Sequence, residues 1–161
     1  MVEFAIVAPI LFFLLLGIVE SGLLLFVVGT ARWGGSEVAR QESESGNAAN
    51  ADLVSLQTLQ KSAMGTTTLA QVNEVDIYRL IAQPNGSLTV DNAHINRYKL
   101  DGTPIGVINW PPAIRNVRNG QSDFLGVTIK YQYNWKTGVF VSGSAIQLNQ
   151  VFEIRLEPQT Y

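Results

Sequence analysis

Residues 4–31, FAIVAPILFFLLLGIVESGLLLFVVGTA, decide the fold. Across these 28 positions the single charged side chain is Glu20. A helix rises 1.5 Å per residue, so the stretch would span about 42 Å. The hydrocarbon core of a bilayer is about 30 Å thick. The stretch is therefore long enough to cross a membrane and to project beyond it.

Charge is distributed unevenly around this stretch. All 11 Lys and Arg residues lie at Arg32 or later, whereas Glu3 and Glu20 are the only acids before it. Of the 13 acidic residues, 11 remain in residues 32–161, which are therefore balanced in charge. This near-neutral segment is long enough for a core of its own, and it lacks the basic surface that nucleic-acid binding requires.

Two residue types exclude several kinds of site. Cys is absent, which rules out disulfides, Cys–zinc centres and thiol nucleophiles. His94 is the only histidine, so a His-rich metal centre is excluded as well. We expect neither a cofactor nor a metal, and no enzymatic activity.

The apolar stretch has two simple interpretations. A cleaved secretory signal has a basic start and a short apolar core, and neither is present here. A membrane anchor fits the length, but positive-inside counting on Arg32 and Arg40 would leave the rest of the chain in the cytoplasm. A basic leader upstream of Met1, removed by processing, would give the opposite orientation.

Two residues of the stretch are unusual in a membrane helix. Glu20 is costly in lipid, so it must face a partner, a water-filled gap or the far interface. One helix is too little for a transport relay, so we favour a role for Glu20 in assembly. Pro9 removes one backbone hydrogen bond and is expected to kink the helix.

Small residues indicate close helix packing. Gly22 and Gly29 are seven positions apart, and Gly17 and Ser21 form a small-xxx-small pair. The alternative is that glycine is simply frequent in membrane helices. Farther on, adjacent Gly34 and Gly35 predict a weak point or hinge in a continuing helix.

Both ends of the chain resemble TadE-like proteins, the pilin-like proteins of tight-adherence pili. The N-terminal signature is VEFAIVAP at residues 2–9, with GIVE at residues 17–20. Residues 123–133, DFLGVTIKYQY, are similar to the family's late strand, and residues 152–158, FEIRLEP, to its closing strand. The resemblance covers roughly the first 40 and the last 40 residues.

The resemblance implies a path of assembly. Family members carry a short basic leader that a prepilin peptidase removes, and a Glu near the new N-terminus then serves assembly. Glu3 matches that Glu, although it is third here and usually fifth after the cut, which predicts two further residues before Met1 or a different spacing. The resemblance also implies residence in the inner membrane, then extraction into an extracellular filament with other pilin-like subunits. A carboxylate buried among helices needs a positive partner, which the N-terminal amine of a neighbouring subunit would supply.

The remaining sequence predicts an α+β head. Leu53, Leu56 and Leu59 recur at helical spacing within residues 51–64, which indicates an amphipathic helix. From Val72 onward the apolar period is two, and turn signals fall at residues 84–87, 101–104 and 136–138. We predict an antiparallel sheet of about four strands packed on the helices. The expected organisation is a long N-terminal helix over 1–45 and a globular head over 46–161.

Other patterns have simpler structural explanations. A turn is expected to explain the N-glycosylation pattern at Asn85. The residues whose oxygens could bind calcium are expected to lie in solvated loops instead. An aromatic run is expected to lie in the sheet rather than to stack against a sugar. Arg115 and Arg118 beside Trp110 are too few for a nucleic-acid patch. Two serines lack the sequence context of a catalytic nucleophile. The residues concerned are Asp91, Asn92, His94 and Asp101 for calcium; Tyr131, Tyr133 and Trp135 for the aromatic run; and Ser36 and Ser142 for the nucleophile.

Two functions remain open at this point. The first is a structural subunit, minor or major, that polymerises through its N-terminal helix into a type IV-related filament. The second is a single-span, membrane-anchored binding or sensor module that does not polymerise. A membrane-tethered enzyme has almost no support in the sequence.

Overall fold

A computed structural model describes residues 2–137 and 145–159, with only the backbone of residues 2, 3 and 5. Three helices come first: α1 (Val2–Ser45), α2 (Ala51–Lys61) and α3 (Ala63–Thr66). Four strands follow, β1 (Ala70–Ala82), β2 (Leu88–Tyr98), β3 (Phe124–Asn134) and β4 (Ala145–Arg155), with a 3-10 turn at Pro112–Ile114 between β2 and β3. The predicted α+β class and the four-stranded antiparallel sheet are confirmed.

Helix α1 is a single element of 44 residues. It runs without interruption through Pro9 and through the two glycines at 34 and 35. Gly46 ends it, with a φ of +56° and its N–H donating to the Glu42 carbonyl at 3.1 Å. Glycine adopts this left-handed conformation without a Cβ penalty, which makes it the usual residue just after a helix.

The predicted helix over residues 51–64 is divided in two. Ser62 has an extended ψ of 169° and serves both as the C-cap of α2 and as the N-cap of α3. Its hydroxyl accepts from the Gly65 N–H at 3.4 Å, so α3 starts anew and continues through Gly65 to Thr66. The helical structure therefore does not end at residue 64, where the sequence predicted its limit, but continues through Gly65 to Thr66.

The sheet has the order β2-β1-β3-β4, and every pair is antiparallel. Alternate residues of β3 point towards the helices and are completely buried: Leu125, Val127, Ile129, Tyr131 and Tyr133. Strand β4 lies at an edge and alternates between exposed and half-buried residues. Gln150, polar in the apolar series of β4, keeps its place opposite Ile129.

The C-terminal half of α1 lies along β4 and β3. Near its middle, Gly35 lies against the Phe152 ring. Near its end, the Ser43 hydroxyl donates to the Arg155 carbonyl at 2.8 Å, and the Glu157 N–H donates to the Ser43 carbonyl at 3.1 Å. The same helix therefore has one half packed into the head and one half that projects from it.

Candidate functional site

The projecting half of α1 is bare. Between residues 4 and 19, none of the described side chains is buried, and most are more than half exposed, with Phe4 at 76% and Ile18 at 65%. Soluble monomers rarely expose so large a continuous apolar surface. This segment, residues 4–19, is called the bare segment below. A window of α1 is apolar and long enough to cross a membrane.

Glu20 marks the point where α1 enters the head. Its carboxylate is completely buried. It accepts hydrogen bonds from the Tyr133 hydroxyl and from the Thr137 N–H, the latter at 2.6 Å. The Lys136 N–H donates to both carboxylate oxygens, at 3.1 and 3.2 Å. Burial and this carboxylate raise the pKa of Tyr133, which keeps the phenol protonated as the donor. The partners of Glu20 in this chain are thus at the end of β3; its predicted role in assembly stays a prediction.

The face of α1 that points away from the head has small residues at head level. Apart from the backbone of its own helix, a Cβ added to Gly22 or Gly29 would meet no atom of the described residues within 4 Å. Leu25, between them, is 70% exposed, and Trp33, one turn beyond, is 75% exposed. We call Gly22, Leu25, Gly29 and Trp33 the outer stripe. Nothing in the head's own packing requires glycine at its two small positions.

The predicted helix-packing pair, Gly17 and Ser21, lies just before the outer stripe on α1, and only one of its two residues is exposed. Ser21 is exposed and Gly17 is half-buried, and the Ser21 hydroxyl donates back to the Gly17 carbonyl at 2.9 Å. That bond satisfies the hydroxyl within the helix, so Ser21 presents a small surface to a neighbour. The kink predicted at Pro9 stays a prediction.

Gly34 and Gly35 lie on the opposite face, where the head packs. A Cβ on Gly34 would lie 3.0 Å from Leu59 Cδ1, and one on Gly35 would lie 2.1 Å from the Phe152 ring. A side chain at Gly35 would force the Phe152 ring to move and one at Gly34 would crowd Leu59, so these glycines permit the close approach of α2 and β4 to α1. Sequence reasoning gave these residues a hinge role, which stays a prediction, and missed the packing role, because the partners are distant in the chain.

A buried charge cluster fixes the far end of α1 to the head. Arg115 Nη1 donates to Glu42 Oε2 at 2.7 Å, and its Nη2 donates to Asp52 Oδ1. The guanidinium also lies 4.6 Å from the centre of the Trp110 ring. Asp52 Oδ2 accepts from Tyr98 at 2.7 Å and from Asn96 at 3.0 Å. Arg115 thus belongs to the interior and joins α1, α2, β2 and the loop after β2.

Burial favours the protonated form of Glu42. The Ser55 hydroxyl donates to Glu42 Oε1 and also lies 2.9 Å from the Asp52 carbonyl. Burial, followed by the charge of Asp52, raises the pKa of Glu42 to about 7. With Glu42 neutral, Arg115 and Asp52 balance each other.

The other candidate residues have local partners. Asp91 binds His94 Nδ1 at 2.8 Å, and Asp101 accepts the Thr103 N–H at 2.8 Å. Within the described ranges, no three acidic or histidine side chains group as a metal site would require. Asn85 accepts the Ser87 N–H at 3.0 Å within a turn. The Ser36 hydroxyl donates to the Trp33 carbonyl at 2.8 Å.

The remaining candidates divide between the core and undescribed positions. Tyr131 and Tyr133 are completely buried in the core, as expected, and Trp135 lies edge-on to Tyr133 at 5.5 Å. Ser142 and the side chain of Glu3 lie outside what the structure describes.

The bare segment and Glu20 lie within a part of the chain that matches a known family model. Residues 1–40 match the family model of TadE-like proteins. The resemblance at the N-terminus is confirmed, and this pilus-related, structural family implies a Tad pilus-associated protein. The match ends at residue 40, so the likeness of β3 and β4 to the TadE-like strands stays a prediction. No curated protein and no solved structure matches the chain.

Proposed function

We propose that the chain is a pilin-like structural subunit of an extracellular, Tad-type pilus. The observation that carries the proposal is the division of α1: none of the described side chains of residues 4–19 is buried, whereas the same helix is built into the head from Glu20 onward. An apolar helix of this kind needs lipid before assembly and other helices after it. The match to TadE-like proteins over residues 1–40 supports the same conclusion.

In this proposal the bare segment and the outer stripe form one continuous assembly surface. Gly22 and Gly29 let the backbone of a neighbouring helix approach, because no described residue of this chain fills the space beside them. Burial of large apolar side chains such as Phe4 and Leu25 supplies most of the cohesion, at about 25 cal/mol per Å² buried. The partners are other copies and other pilin-like subunits.

The two acids of α1 have different roles in the proposal. Glu3 pairs with the N-terminal amine of a neighbour after a prepilin peptidase removes the leader, and this pair sets the axial register. Glu20 holds the head at a fixed height on α1 through Tyr133, Lys136 and Thr137. Register of the helices thereby becomes register of the heads on the filament surface.

Electron microscopy of sheared surface filaments, with mass spectrometry of their subunits, tests the proposal. We expect the chain in the filaments, as a dominant band for a major subunit or in few copies for a minor one. Glu3→Ala is expected to impair filament formation and leave the head folded, whereas Glu153→Ala, on an exposed site of β4, is expected to have no effect. Retention of the chain in the membrane, with an uncut N-terminus, would favour the anchored binding or sensor module.

A further inference from the structure

The bare segment is shorter than a bilayer core. Residues 4–19 span about 24 Å as a helix, whereas the hydrocarbon core is about 30 Å thick. The difference is about 6 Å, or four residues of helix. If the helix enters the hydrocarbon at Phe4, the core ends near Leu24, beyond the point where Glu20 joins the head.

The end of the head at this level is defined by contacts with Glu20. Tyr133 stands opposite Ala70 of β1 and Ile146 of β4, so all three strands end here. Lys136 lies two residues after the end of β3 and is exposed, and its Nζ donates to the Thr68 carbonyl at 3.2 Å. Three half-buried apolar side chains lie at the same end: Leu69, Trp135 and Ile146. We call Thr68, Leu69, Trp135, Lys136 and Ile146 the lower rim of the head.

We propose that the lower rim rests in the lipid headgroup region of the membrane that holds the precursor, an inference that depends on the membrane residence in the proposed function. Tryptophan is enriched at this level because its ring is apolar and its N–H is polar, and a lysine extends its ammonium towards phosphate from there. Leu69 and Ile146 continue the apolar surface of the bare segment onto the head.

Glu20 has the protein hydrogen bonds that a carboxylate needs at this depth in the membrane. A carboxylate near the hydrocarbon boundary needs all its hydrogen bonds from protein, because water is scarce there. Glu20 is completely buried and accepts from one hydroxyl and two backbone N–H groups.

The three tryptophans make the depth measurable. Trp135 is on the lower rim, and Trp110 is 1% exposed inside the head. Trp33 is 75% exposed but lies 13 positions beyond Glu20, about 20 Å farther along α1. The proposal therefore places Trp135 among lipids and Trp33 in water.

Fluorescence quenching by brominated lipids tests this placement. The full chain is inserted into phosphatidylcholine vesicles that contain some phosphatidylglycerol, with bromine at the headgroup end of the acyl chains. We expect quenching in the wild type and in Trp33→Phe, and loss of most of it in Trp135→Phe. Unchanged quenching in Trp135→Phe, or its loss in Trp33→Phe, would overturn the inference.

A second readout leaves the tryptophans in place and uses the absence of cysteine from the chain. Asn134→Cys places a fluorophore at an exposed position beside the lower rim, and Ser36→Cys places one at an exposed position higher on α1. Quenching of the first label alone is expected, and equal quenching of both would contradict the inference. An alkaline wash separates the two proposals: release of the chain refutes membrane residence and the inference together, whereas retention without rim quenching refutes only the inference.

Discussion

Glu42→Gln is expected to flatten the pH dependence of stability between pH 4.5 and about 7. In the folded chain, Glu42 is buried between the Ser55 hydroxyl and Arg115, and this burial favours its protonated form. In the unfolded chain the same carboxyl titrates near 4.5. Glutamine donates and accepts in the pattern of the protonated acid, so it fits the site without titrating.

The magnitude follows from the difference between the two pKa values. Burial and Asp52 raise the pKa of Glu42 from 4.5 to about 7, and each unit corresponds to about 1.4 kcal/mol. The folded state holds the proton more tightly, so the free energy of unfolding falls as pH rises through this window. The loss from this group is about 3 kcal/mol, complete once the pH exceeds about 7.

Denaturant unfolding of the full chain in detergent micelles, at several pH values from 5 to 8, measures this effect. Trp110 reports directly, because its ring lies against Arg115 in the cluster. The control is Glu44→Gln, an exposed carboxyl two residues along the same helix, which is expected to keep the wild-type profile. Equal slopes for the wild type and Glu42→Gln would refute the protonation assigned to Glu42.

Three further predictions concern α1. Glu20→Ala leaves the Tyr133 hydroxyl and the Lys136 and Thr137 N–H groups without their acceptor. We therefore expect the free energy of unfolding, measured with denaturant, to fall by about 3 kcal/mol. We also expect faster hydrogen exchange of the Lys136 and Thr137 amides. Unchanged hydrogen exchange of the two amides would contradict the hydrogen bonds that they donate to Glu20. Gly35→Ala drives a Cβ into the Phe152 ring and is expected to lower stability by about 1–3 kcal/mol, whereas Gly22→Ala, which meets nothing, is expected to raise it by up to about 1 kcal/mol through helix propensity. Equal effects at both sites would contradict the packing role. Gly22→Leu is expected to leave thermal unfolding of the monomer intact and to abolish filaments counted by electron microscopy; normal filaments would exclude Gly22 from the assembly surface.

Much of the fold could be predicted from local signals. The long apolar run predicted α1, and the strict alternation of Val127, Ile129, Tyr131 and Tyr133 predicted the inner face of β3. Gly46 ends α1 through a conformation that glycine adopts easily, which is also a local feature. These features depend on neighbouring residues, which is why the sequence sufficed.

The site depended on contacts between residues far apart in the chain. Glu20 meets Thr137 across 117 positions, and Glu42 meets Arg115 across 73. No periodicity encodes such pairs, so the sequence left Glu20 without a partner in its own chain and gave Arg115 only a weak surface role. One signal was present: an acid in an apolar run requires a hydrogen-bond donor, and the head supplies donors to Glu20.

The central claim is that the exposed side of α1 is the surface through which subunits assemble, and a photo-crosslinking amino acid at Leu25 tests it most directly. Leu25 is 70% exposed, between two glycines with open space beside them. In isolated filaments, peptide mass spectrometry is expected to find the crosslink on α1 of another subunit. Crosslinks confined to lipid, with the chain absent from the filaments, would contradict the claim.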